Sequence, residues 1–80
     1  MNEISNELET EFELAKNLKI IENVAKLKMS KEAIVRYGNL KLAHPEKAIK
    51  IISFIAEAVQ QGRIKEIITD EQFKEILMKI

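Results

Sequence analysis

Cysteine is missing from this 80-residue chain, so neither a disulfide framework nor a thiolate metal site is available, which fits a reducing compartment. Histidine occurs once, as His44, and no carboxylate spacing around it suits a zinc site. Ser5, Ser30 or Ser53 with His44 and Asp70 formally completes a hydrolytic triad, yet nothing resembles a nucleophile elbow. Glycine is limited to Gly38 and Gly62, which excludes a glycine-rich phosphate loop. Phe12, Phe54, Phe73 and Tyr37 are the only aromatics, too few for a base-stacking platform. No apolar run approaches the roughly 20 residues that span a bilayer, and the acidic start lacks the basic region of a signal peptide. A soluble, cytoplasmic, non-enzymatic protein without membrane contact or cofactor is the expectation.

Eighty residues make one domain, which buries about 60–65% of the surface its unfolded chain exposes. Its zero net charge conceals an asymmetry. Residues 1–13 hold Glu3, Glu7, Glu9, Glu11 and Glu13 without a base, a charge of −5, while residues 14–80 hold 13 bases and 8 acids, a charge of +5. The excess is steepest over residues 16–50, with nine bases against Glu22, Glu32 and Glu46. Solvated helix faces are commonly charged; the sharper reading is a basic body that meets phosphate and an acidic head that modulates it.

Periodicity is helical throughout. Ile4, Leu8, Phe12, Ala15, Leu18 and Ile21 form one stripe, although Glu7 repels Glu11 and Glu9 repels Glu13 one turn apart. This predicts a mobile, partly ordered leader over 1–15 and a helical bundle over 16–80. Leu18, Ile20, Ile21, Val24, Ala25 and Leu27 supply a broad docking face before Met29-Ser30 breaks the pattern. Ser30 is a good N-cap, so a second helix runs from Lys31 to about Lys41, burying Ala33 or Ile34, Tyr37 and Leu40. Gly38 inside it predicts a close helix contact.

His44-Pro45 marks a boundary, because the residue before proline avoids helical angles whereas proline suits the first helical position; His44 itself faces solvent. The helix from Pro45 is the most apolar and the central one. Gly62 stops it, with Ile64 folding back on its last turn. Thr69 and Gln72 have capping-box spacing for a last helix over 70–80 that buries Phe73, Ile76, Leu77 and Ile80. Glu66, Asp70 and Glu71 read as carboxylates at a helix start, where the macrodipole favours them, in preference to an acid-base pair. The fold class is all-α, a compact bundle of three main helices preceded by a partly ordered N-terminal helix.

The succession Arg36-Tyr37-Gly38-Asn39-Leu40-Lys41-Leu42, Pro45-Glu46-Lys47-Ala48, Gly62 with Ile64, then Ile68-Thr69-Asp70-Glu71-Gln72-Phe73-Lys74-Glu75-Ile76-Leu77 resembles the programmed cell death protein five family. The likeness is to its short archaeal members, the double-stranded DNA-binding branch, and covers about two thirds of the chain from Leu27 onward. It implies a three-helix bundle with a right-handed twist behind a mobile N-terminal helix, and binding of double-stranded DNA. Eukaryotic relatives contact other proteins, a cytosolic chaperonin among them. Family members usually have leucine where Tyr37 stands, and the long basic tail of many eukaryotic relatives has no counterpart here.

For DNA the candidate contacts are Lys26, Lys28, Lys31, Arg36, Lys41, Lys47, Lys50, Arg63 and Lys65, bases that release counterions on meeting phosphate. Individually each reads equally well as a solvated helix residue, and Arg36 as the partner of Glu32 one turn away. Asn39 reads as packing or capping. The competing class is a protein-interaction module docking through Phe12, Leu14 and an exposed apolar patch. A monomer is expected.

Overall fold

Four helices and their caps account for most of the backbone in the computed structural model, which describes residues 16–80. They are α1 (16–26), α2 (Lys31–Ala43), α3 (Pro45–Gln60) and α4 (Asp70–Lys79). The chain is all-α, and no extended strand forms among the described residues. The expectations for the leader, Phe12 and Leu14 included, fall outside those residues.

Local chemistry sets the boundaries. The Ser30 side chain accepts from the Ala33 amide at 3.1 Å and starts α2. Pro45 follows His44 at the start of α3, and its missing N–H would have had no helical partner there. Gly62 adopts a φ of +72° just past α3, the left-handed conformation that a Cβ disfavours. Its amide donates to Val59 O at 3.1 Å and that of Arg63 to Ala58 O at 3.0 Å, the paired bonds of a Schellman motif. At α4 the capping box is complete, Gln72 N to Thr69 Oγ1 at 3.1 Å and Thr69 N to Gln72 Oε1 at 3.0 Å.

Helix α3 contributes six of the twelve buried apolar residues among the described residues, namely Ala48, Ile51, Ile52, Ile55, Ala56 and Ala58, which makes it the centre of the core. Three of its four isoleucines, Ile51, Ile52 and Ile55, are fully buried, worth about 1.5–3 kcal/mol apiece relative to exposure; Ile49 is exposed. Ala33 and Tyr37 face them from α2, Ala25 and Met29 from α1 and the turn after it, and Ile68 and Phe73 from the other end of the chain. α2 packs on both α3 and α4.

A short splice joins the two halves. Ser30 N donates to Ile68 O at 2.9 Å and Ile68 N to Lys28 O at 2.7 Å, so the α1–α2 turn lies parallel to the end of the α3–α4 loop. The turn itself tightens through bonds of the three-residue type from Leu27, Lys28 and Met29 back to Val24, Ala25 and Lys26.

Four expectations need correction. α2 runs to Ala43, two residues beyond Lys41, because Pro45 ends it and nothing earlier does. A Cβ built on Gly38 meets nothing within 4 Å, so this glycine permits no close contact. Ile20 and Leu27, 52% and 72% exposed, lie off the docking face, and the acidic Glu22 takes an inward position between them. Ile80 is also substantially exposed, leaving Phe73, Ile76 and Leu77 to seat α4.

Candidate nucleic-acid interface

Glu22 is 6% exposed, a buried carboxylate on the apolar side of α1. One of its oxygens, Oε2, accepts from the Tyr37 hydroxyl at 2.6 Å and from Lys41 Nζ at 2.7 Å. Lys26 Nζ stands 5.9 Å from the centre of the Tyr37 ring, within range of a cation–π attraction. Two candidate cations, Lys26 of α1 and Lys41 of α2, therefore converge around one carboxylate at the seam between their helices. Burial pushes the Glu22 carboxyl up, but the bonds from Lys41 and Tyr37 and the charges of Lys41 and Lys26 outweigh it and leave it below the usual range. Burial and then the Glu22 bond drive the Tyr37 hydroxyl far above its ordinary value of 10.0.

Arg36 takes a different partner from the Glu32 expected one turn away. Its guanidinium forks onto Asp70 at the start of α4, Nε donating to Oδ1 and Nη2 to Oδ2, the latter at 3.0 Å. The fork holds the Asp70 carboxyl below its ordinary value, helped by the charges of Arg36 and Lys74, and the same bonds raise Arg36. Arg36 thus ties α2 to the N-terminus of α4, where a carboxylate already suits the macrodipole.

The remaining candidates stand elsewhere. Lys47 and Lys50, one turn apart on α3, line a shallow groove with Ala43, His44, Pro45, Glu46 and Ile80 at the α2–α3 junction. Lys28 Nζ reaches the Lys65 carbonyl at 3.5 Å, which brings those two residues together beside the splice. Lys31 is exposed in the first turn of α2. Arg63 borders another groove, between α3 and α4, with Phe54, Ile64, Ile67 and Ile76. His44 is exposed, as expected of it, and its side chain makes no capping bond; Asn39, expected to pack or cap, is instead exposed in the interior of α2.

Sequence reasoning missed Glu22 and Asp70 as the anchors of Lys41 and Arg36. Glu22 did carry a signal: Leu18, Glu22, Ala25 and Met29 are spaced by four, three and four, so a carboxylate sits in the inward stripe and needs a hydrogen-bonding partner. Asp70 carried none, since its partner lies 34 residues away.

The geometry describes a small all-α domain whose candidate bases are spread over the α1–α2 seam, the splice, the α2–α3 junction and the α3–α4 groove. The chain belongs to the double-stranded DNA-binding domain family, whose model it matches over residues 3–80. The likeness to the programmed cell death protein five family agrees with that placement. DNA-binding proteins of Saccharolobus islandicus (strain Y.G.57.14) and Saccharolobus solfataricus are each 39% identical over 59 residues, 74% of this chain and 50% of theirs. One of Thermococcus sibiricus is 35% identical over 78 residues, 98% of this chain and 63% of its own length. The chain thus spans about half to somewhat under two thirds of these curated relatives. No solved structure matches it.

Proposed function

We propose that the chain is a non-enzymatic, monomeric DNA-binding domain, a folded unit over 16–80 behind an acidic leader, that grips duplex phosphates with low sequence specificity and works in the cytoplasm. The observation that carries this is the state of the nine bases in residues 16–50. Among the described residues Arg36 and Lys41 reach a carboxylate; Lys16, Lys19, Lys26, Lys28, Lys31, Lys47 and Lys50 do not. Lysine ammonium groups held at helix surfaces are point charges suited to phosphate.

Low specificity follows from the arginines. The commonest specific base contact is a forked arginine on guanine, and one of the two arginines, Arg36, already spends its fork on Asp70. Arg63 and Lys65 extend the phosphate contacts beyond the main group, and Lys41 keeps two of its three N–H donors after the bond to Glu22.

A titration of random-sequence duplex at several salt concentrations tests this reading. Affinity should fall linearly on a log-log plot with a slope of about −0.9 per phosphate contacted. Lys47→Ala with Lys50→Ala should flatten that slope by about 1 per lysine and weaken all duplex sequences alike. No binding at low salt would sink the proposal. A protein partner would then be the better account, and what favours it is the α3–α4 groove, where Phe54 and Ile67 remain 49% and 50% exposed.

A further inference from the structure

His44 is the chain's only histidine, and histidine is the side-chain type whose charge ordinarily changes between pH 5 and 8. It is exposed, makes no capping bond to the helix it precedes and enters no ion pair among the described residues. His44, Lys47 and Lys50 recur at intervals of three, the spacing of neighbours on one side of a helix. All three line the groove of about 540 Å³ at the α2–α3 junction. Neither lysine pairs with a carboxylate among the described residues, so the groove gathers three basic side chains that the fold leaves unpaired.

We propose that His44 is a third phosphate contact of this groove, engaged as the imidazolium, so that the grip on duplex tightens as pH falls below neutrality; the inference rests on the DNA-binding reading above. An imidazolium donates from both ring nitrogens and releases a counterion on meeting phosphate, whereas neutral imidazole brings one donor and no charge. Phosphate therefore favours the protonated ring and raises its pKa in the complex. The added affinity is complete below the free value and is lost as pH rises through the bound value. Other charges at the groove do not follow this course. Glu46 lines it, and Ile80 brings the main-chain carboxylate of the last residue beside it. Carboxyl groups ordinarily titrate near pH 4 and lysine ammonium groups near 10.4, so among these residue types histidine alone changes charge across neutrality.

The test uses the full chain as wild type, His44→Gln and His44→Lys with random-sequence duplex at about 50 mM salt, where phosphate contacts weigh most. Exposed and without a capping bond, position 44 accepts either side chain without loss of packing. Wild type should bind on the order of three- to fivefold tighter at pH 5.5 than at pH 7.5, with a salt slope steeper by up to about 0.9. His44→Gln should bind equally at both pH values, near the wild-type level of pH 7.5. His44→Lys should also be independent of pH, but at no less than the wild-type level of pH 5.5. The single imidazole signal of the chain, followed by NMR, should move its titration midpoint up by about half to one pH unit when duplex is added.

Equal wild-type affinity at the two pH values, a midpoint that duplex leaves in place, or a pH dependence that survives in His44→Gln would each overturn this contact while the DNA reading stood. A His44→Lys chain that binds no tighter than wild type at pH 7.5 would overturn it too. If no chain binds duplex at either pH, both proposals fall.

Discussion

Glu22 and Tyr37 act as one unit: removing Glu22 leaves the buried hydroxyl without its acceptor, and removing the hydroxyl leaves the carboxylate with Lys41 alone. Tyr37→Phe keeps the ring, its packing and the nearby Lys26 but removes one of two donors to a buried carboxylate; we expect a loss of about 1–2 kcal/mol in denaturant unfolding. The pair also shapes stability against pH from both sides. The folded-state value of Glu22 is depressed, so its contribution is complete above the ordinary carboxylate value of 4.5 and is lost as pH falls through the folded value. Asp70 acts in the same direction. Tyr37 is raised, so the unfolded chain releases its proton first and stability declines as pH climbs past about 10. Thermal melts across pH should show both limbs, and Tyr37→Phe should remove most of the alkaline one.

The two glycines make opposite predictions at the level of the helices that hold them. Gly38 lies inside α2 with open space where a Cβ would go, so Gly38→Ala should stabilise by about 1 kcal/mol and raise the melting temperature by about 4–8 °C. Gly62 ends α3 at positive φ, and Gly62→Ala should cost about 1–2 kcal/mol despite equally open space. Helix ends were legible in the sequence for the reason Gly62 was: Ser30, Pro45, Gly62 and the Thr69–Gln72 pair act within four residues, so their spacing carries the information. Helix faces were less so. Gly38 has the same composition signal whether it abuts a neighbour or open water, and Ile20 and Leu27 look as buriable as Ile21 and Val24 until the angle of α1 on the bundle is known. The inward glutamate and the Arg36–Asp70 tie depend on that angle and on pairing across the chain, which no local pattern contains.

At the scale of the whole molecule the acidic head and basic body were legible by counting, whereas the way the bases divide between anchored and unpaired was not. One outcome is a protein whose isoelectric point near 6.6 describes neither its acidic residues 1–13 nor its basic residues 16–50. A second lies in the splice of Met29 against Ile68, which closes a loop of nearly half the chain with two backbone bonds outside every helix. Bonds between such distant residues are made late and broken only when the intervening helices part. Turn amides ordinarily exchange with deuterated solvent within the dead time of the measurement; those of Ser30 and Ile68 should instead exchange as slowly as the amides of α3. The two would then serve as clocks for global opening, placed where a fraying loop would otherwise be expected.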